Sequence, residues 1–292
     1  MVTDYFFVVS AVLFLTGYRA LMRIFNRGGG YGGIFFYGFV MSVFASSVFA
    51  VYLIADFQFN TATLIYSGIY ALSYSFALFS SYYAVKTGPL ALSGLVQSFA
   101  LIVPTLYGFI FLGDSGNTFI YIGFAAVTLS IFLINFNFKK GAAENNKISL
   151  KWMCYAALSF LSNGLSTTVQ KAHQTAFPGL FRAEFMLFAI LPAALVYFIL
   201  FMTAERKKQG KFSPESLILP ASAGILNGLY MFMLVLLAAS AIKAVVLYPL
   251  LAAGGILAAC VSAFVFFKER FTAVQYAGIA VGIASVVLLN LR

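Results

Sequence analysis

Tyr66, Tyr70 and Tyr74 recur at i, i+4 and i+8 within LIYSGIYALSYSFALFSSYY, residues 64–83. On a helix this spacing places three phenol rings on one face, with Ser67, Ser73, Ser80 and Ser81 nearby. Such a face offers hydroxyls and π-surfaces to a zwitterionic or cationic ligand. It also suits interhelical packing, and Tyr66 is near a segment end where aromatic belts form. A second polar stripe runs Ser159, Asn163, Ser166, Thr167 and Gln170, with Lys171 just beyond. Gln97 beside Ser98, and Asn227 with Tyr230, are the deepest amides in otherwise apolar runs. An amide can fix a polar head group through one donor and one acceptor. The competing use is a hydrogen bond to a neighbouring helix.

These residues give a candidate substrate-binding set of Tyr70, Tyr74, Gln97, Asn163, Thr167, Gln170, Asn227 and Tyr230. Glu184 is the one acid placed beyond the interface within an apolar run, which makes it the candidate for binding a coupling proton or ion. A partnership with Arg182 or a solvated mouth is the alternative, although residues at i and i+2 do not face each other on a helix. The single histidine, His173, falls at a segment end, where solvation or capping is the default. Cys154 and Cys260 sit in apolar runs without metal spacing. Acid–base and metal chemistry need constellations that this chain lacks. No catalytic residue, metal or cofactor is therefore assigned, and an enzyme is not expected.

The elements that position these groups follow from composition. With 62% hydrophobic and 9% charged residues and a mean hydropathy of +0.97, the 292-residue chain cannot cover a water-soluble surface. Apolar runs of about 20 residues, each able to cross roughly 30 Å of hydrocarbon, recur throughout. Lipid leaves backbone polar groups unsatisfied unless they pair internally, so the choice is helices or a closed barrel. The runs lack period-two alternation, which selects helices. Ten spans are expected, over 3–21, 33–54, 62–84, 89–112, 117–136, 152–172, 182–203, 218–239, 244–267 and 271–291. The N-terminal run has no preceding basic residue and reads as a retained helix, not a signal peptide.

The second half of the chain repeats the first. Residues 84–135 align without a gap to 239–290 at a shift of 155, with 11 of 52 positions identical. Phe111/Phe266, Tyr121/Tyr276, Gly123/Gly278 and Asn135/Asn290 are among them, and a hinge acid stands at Asp114 and Glu269. The expected domains are a five-helix repeat over 1–136, a polar linker over 137–151 and a second five-helix repeat over 152–292. An odd number of spans per repeat makes the repeats inverted. The fold class is thus an all-α integral membrane protein of ten transmembrane helices. Pro104, Pro249 and Gly254-Gly255 are candidate kinks, and Gly278-x-x-x-Gly282 is a close-packing motif.

Charge orients the whole. Loops 1–2, 3–4, 5–6, 7–8 and 9–10 hold 14 Lys/Arg and the opposite side 4. The positive-inside rule puts the first set in the cytoplasm and both termini outside. The net charge of +10 reflects this bias and not nucleic-acid binding.

The AVK…FLGD…YIG pattern of 84–123 and its second copy, AIK…FFKER…YAG at 241–278, resemble the drug/metabolite transporter superfamily of the type with two EamA-like repeats. The resemblance covers essentially the whole chain and implies peripheral fifth and tenth spans, with a central cavity among spans 1–4 and 6–9. It also implies cytoplasmic termini, against the charge bias. The first hinge departs from the family pattern, reading Leu112-Gly113-Asp114-Ser115 where an acidic–basic pair is common. No mid-membrane carboxylate occupies the first span, where small multidrug members carry their essential glutamate.

The expected protein is a secondary transporter in the cell membrane, a monomer or weak dimer that moves a small organic metabolite by alternating access. Few buried basic groups argue against a phosphate-rich substrate, which leaves a neutral or zwitterionic, amino-acid-like one. An integral membrane enzyme and a channel or packing subunit are the alternatives, and no charge ring or filter motif supports a channel.

Overall fold

The computed structural model describes residues 2–28, 33–54, 57–87, 96, 99–135, 149–206, 214–265 and 272–291. Gln97 and Ser98, Gly88-Pro89, Glu269 and all but the last three positions of the 137–151 linker lie outside the described residues. Among the described residues there is no strand. The α-helices are α1 Val2–Gly28, α2 Ile34–Leu53, α3 Thr61–Thr87, α4 Ile102–Phe111, α5 Thr118–Asn135, α6 Leu150–Ala176, α7 Arg182–Leu200, α8 Ile218–Ala238, α9 Ala244–Val265 and α10 Ala273–Asn290. Six of the described helical segments are long and apolar enough to cross a membrane. Large apolar side chains such as Phe6, Leu13, Ile65, Leu161 and Ile199 point outward, a distribution stable only against lipid. The chain is a multi-pass integral membrane protein.

Its helices pack as two compact units that each draw on both sequence halves. The first comprises Met1–Ser75 with Val169–Ser240, the second Phe76–Thr168 with Ala241–Arg292. The boundaries fall inside α3 and α6.

In the first unit α1 lies along α8, and α2 packs against α7 and α8. The α2–α8 contact is close because Gly224 and Gly228 present no side chain to it. A Cβ at Gly224 would meet the Met41 carbonyl oxygen at 2.5 Å, and one at Gly228 the Ala45 carbonyl oxygen at 2.8 Å. This is the small-xxx-small arrangement that lets membrane helices touch backbone to backbone. The start of α2 is pinned by Glu205, whose carboxylate accepts the Gly33, Phe35 and Phe36 amide N–H groups at 3.1, 3.0 and 3.0 Å. An anion there satisfies donors that lipid could not and complements the helix dipole.

In the second unit α5 runs along α10, and α4 packs on α9. The Gly278-x-x-x-Gly282 motif faces α5: Cβ atoms there would meet Ile134 Cγ1 at 2.8 Å and Ser130 Oγ at 2.7 Å. Gly123 faces Leu289 Cγ at 3.0 Å in return. A shift of 155 carries Gly123 onto Gly278 and Ile134 onto Leu289, so each contact is the image of the other. The helix starts match in the same way. Asn117 accepts the Ile120 amide at 3.0 Å, and Thr272 accepts the Gln275 amide at 3.4 Å. The hinge residue Asp114 accepts the Ala244 N–H at 2.7 Å at the start of α9, while Lys243 Nζ donates to the Ser115 carbonyl at 2.8 Å. The unusual first hinge thus fastens α4 to α9.

Pro104 falls in the first turn of α4, where it is tolerated. Pro249 is inside α9, and Pro192, unremarked in the sequence, is inside α7.

Because both glycines of the reciprocal α5–α10 contact face filled space, Gly123→Leu and Gly278→Leu should each cost about 1–3 kcal/mol through overpacking. Thermal unfolding of the detergent-solubilised protein checks this. Gly68→Ala, at a position with nothing within 4 Å, should leave the midpoint unchanged.

Candidate functional site

The polar groups of the first unit divide into those with fixed protein partners and those with capacity left over. His173 belongs to the first kind. It is fully buried, hydrogen-bonded to Thr63 Oγ1 at 3.1 Å and to Gln174 Nε2 at 2.9 Å, and stacked on Phe185 at 4.4 Å. The solvated role expected for a span end does not hold, because α6 continues to Ala176 and carries His173 into the packed interior. Lys171 is buried too, its Nζ donating to the Ala238 carbonyl at the end of α8 at 2.9 Å. Glu184, 6% exposed, accepts the Gln58 amide N–H at 3.0 Å.

The tyrosines behave differently. Tyr70 and Tyr74 stack with centroids 6.1 Å apart, so the i, i+4 spacing does place them on one face. Tyr70 meets Phe185 edge-on at 5.5 Å, and Tyr66 turns to His173 at 5.5 Å. Across from them, α8 brings Asn227 and Tyr230. The Gly224–Gly228 contact fixes this part of α8 against α2, and Asn227, adjacent to Gly228, is 3% exposed. Its Nδ2 reaches the Tyr74 hydroxyl at 3.4 Å. That is a long bond, and the same nitrogen lies 3.8 Å from Met231 Sδ, a weak acceptor. Gln170 approaches the same core from α6, with Nε2 at 3.9 Å from Met186 Sδ, and Met186 shares a cluster with Tyr70 and Met231.

Three residues of this neighbourhood were not among the candidates. Tyr18 of α1 stands 6.0 Å from Tyr230, centroid to centroid. Arg19 follows it, within electrostatic reach of the Tyr18 and Tyr230 hydroxyls. Tyr37 of α2 is 1% exposed, and its hydroxyl has no hydrogen-bond partner. The expected span 3–21 contains Arg19, but the charge count assigns it to the cytoplasmic loop 1–2. In the structure α1 runs unbroken to Gly28, which places Arg19 inside the helical unit. The readable signal was an arginine next to a tyrosine within VLFLTGYRALM.

Asn163 and Thr167 fall in the second unit. Asn163 Nδ2 donates to the Ser159 carbonyl at 2.8 Å and lies 3.5 Å from Ser81 Oγ. Ser81 and Ser159 share a bond of 2.7 Å. Thr167 Oγ1 returns to the Asn163 carbonyl at 3.0 Å. Here the amide and hydroxyls join α3 to α6. Gly164 allows α6 to sit close to the α4 region, a Cβ there meeting Val103 Cγ2 at 2.5 Å.

A half-buried tyrosine–amide cluster on closely packed, lipid-facing helices is the setting in which the sequence comparison becomes specific. Residues 150–291 match the EamA-like transporter family. The second half of the chain is thus similar to that family. Members of that family are transporters and not enzymes. One solved structure, described only as "Crystal structure of protein", aligns over 99% of this chain and 98% of its own at TM-score 0.80 and 13% identity. At that identity the likeness speaks to fold alone. No curated protein matches the sequence.

Loss of the α3–α6 hydroxyl pair should weaken the protein without altering ligand preference. Ser81→Ala and Ser159→Ala are each expected to cost about 0.6–1.7 kcal/mol, the range of interhelical polar contacts in membranes. Thermal unfolding with and without a bound ligand measures both effects.

Proposed function

We propose that the chain is a secondary transporter of the drug/metabolite type that moves a small organic metabolite, neutral overall or zwitterionic, by alternating access. The observation that carries this reading is the cluster of Tyr70, Tyr74, Asn227 and Tyr230 that α3 and α8 bring together, with Gln170 at its edge. Polar groups at membrane depth are expensive and normally tied off. Glu205, Asp114, Lys171 and His173 follow that rule, whereas Asn227 Nδ2 makes only long contacts, to the Tyr74 hydroxyl at 3.4 Å and to Met231 Sδ at 3.8 Å. Spare hydrogen-bonding capacity among aromatic faces suits a ligand that binds and leaves.

The reciprocal contacts of Gly123 with Leu289 and of Gly278 with Ile134 support two repeats related by a pseudo-two-fold axis. With five helices each, the repeats are inverted, the arrangement that gives many carriers two equivalent faces. Glu184 is the coupling candidate. Protonating its carboxylate would weaken the bond to the Gln58 amide and so link a proton to the α2–α3 connection. Asn163 serves this scheme by holding α6 to α3, and Thr167 by its bond to Asn163 within α6. Gln97 is retained as a substrate contact on the strength of the sequence alone.

Counterflow in proteoliposomes tests the proposal. One compound from a panel of amino acids, amines, sugars and nucleosides should exchange against its own preload. Tyr74→Phe with Asn227→Ala should reduce that exchange by at least about tenfold, as expected when a site built on paired polar groups loses them. Exchange that is intact in the double variant would place the substrate elsewhere, and turnover of a lipid in place of exchange would favour an enzyme.

A further inference from the structure

A carboxylate stands near each end of α7, and each accepts backbone N–H groups at one end of α2. Glu184, in the first turn of α7, accepts the Gln58 N–H at 3.0 Å, just past the end of α2. Beyond the other end, Glu205 closes a π-helical turn over Phe201–Glu205. It takes the Gly33, Phe35 and Phe36 N–H groups at the start of α2. α2 has 20 residues, about 30 Å of helix, which matches the hydrocarbon thickness of a bilayer. The two carboxylates therefore stand at opposite faces of the membrane. The polar run AERKKQGKFSPES, residues 204–216, puts the Glu205 end in water.

Two explanations compete for these bonds: a permanent helix joint, or a fastening that opens. A permanent cap for α2 needs only a Ser, Asp or Asn at its own N-cap. Position 33 is instead a glycine that offers no side-chain cap, and the acceptor comes from a residue 172 positions away. A Cβ at Gly33 would meet Glu205 Cδ at 2.8 Å, so the glycine makes room for a carboxylate from another helix. The π-helical turn, a feature frequent at functional sites, carries Glu205 to that place. Contact types also differ along α2. At its middle, Gly224 and Gly228 of α8 lie against the Met41 and Ala45 carbonyls, a close contact that water cannot replace. At its ends, N–H groups and carboxylates can exchange one another for water at modest net cost. Pro192 interrupts α7 between the two carboxylates, the kind of position at which a helix bends. α2 is thus held firmly by α8 and releasably, at each end, by the α7 carboxylates.

We infer that Glu205 is a gate latch, which closes the first helical unit at one membrane face by binding the start of α2, as Glu184 does with Gln58 at the other face. Each half of the transport cycle releases one carboxylate to water while the other stays bound. The inference rests on the carrier reading above and adds to it the contacts that alternate.

Maleimide labelling of the full-length protein in proteoliposomes, with Cys154 and Cys260 replaced by serine and an impermeant reagent on both sides, tests the latch through two reporters. Phe36→Cys lies beside Glu205 and Ala183→Cys beside Glu184, at side chains 5% and 1% exposed. Glu205→Gln keeps the shape and removes the charge. It should speed labelling at Phe36→Cys by about tenfold or more, the scale of a lost charge-assisted hydrogen bond, and slow labelling at Ala183→Cys. Should Glu205→Gln not fold, Gly33→Ala displaces the carboxylate without removing it and should give the same opposed pattern. Two reporters that move together mark general loosening and overturn the latch, as does an unchanged rate at Phe36→Cys. Either result leaves the carrier reading standing, because wild-type counterflow tests that separately. Failure of every compound to exchange in wild-type proteoliposomes would remove the carrier reading and the gate with it.

Discussion

Lipid offers no hydrogen bonds, and that one constraint organises this molecule. Each polar group carried into the hydrocarbon must find a partner within the protein, or it must face water and do something there. The chain meets the requirement first through helices, which satisfy the backbone internally. At helix starts, where four N–H groups remain open, it uses carboxylates and amide or hydroxyl side chains: Glu205 on α2, Asp114 on α9, Asn117 on α5 and Thr272 on α10. Lys171 does the converse at the end of α8, where carbonyls are open. Glycines then let the capped helices approach closely, at Gly224 and Gly228 in one unit and at Gly278 and Gly282 in the other.

Against this background, incompletely satisfied groups are informative. Tyr18, Tyr37, Tyr74, Asn227 and Tyr230 come from four helices, α1, α2, α3 and α8, that are separated in sequence. The same helix type, with similar residues, can serve either purpose. Asn163 saturates its amide nitrogen on Ser159 and approaches Ser81, whereas Asn227 retains spare capacity. What separates them is the company each keeps across the helix interface, not the residue itself.

That difference explains how far the sequence could be read. Helix positions were legible because apolar length alone sets them: the expected spans at 33–54, 218–239 and 271–291 differ from α2, α8 and α10 by no more than two residues at either end. The periodic Tyr70–Tyr74 face and the Asn227–Tyr230 pair were legible because helical spacing fixes which side chains align. The partner across the interface was not. Nothing in one helix's spacing tells whether Asn163 meets two serines or an opening. Arg19 was misplaced because it was counted with the loop charges although the expected span 3–21 contains it, and His173 because α6 outlasts its apolar stretch. The Gly224–Gly228 contact was also missed, since two glycines at i, i+4 gain meaning only when a second backbone is found against them.

The central claim is that the tyrosine–amide cluster of the first unit opens to water, while the serine pair of α3 and α6 is buried in a helix joint. Single cysteines in a Cys154→Ser, Cys260→Ser background, probed with a membrane-impermeant maleimide, test it most directly. Cysteine substituted at Tyr18 or Tyr230 should label from an aqueous face and be protected by a bound ligand, whereas cysteine at Ser159 should stay unmodified. Inert cysteines at both tyrosine positions, from either side of the membrane, would contradict the account.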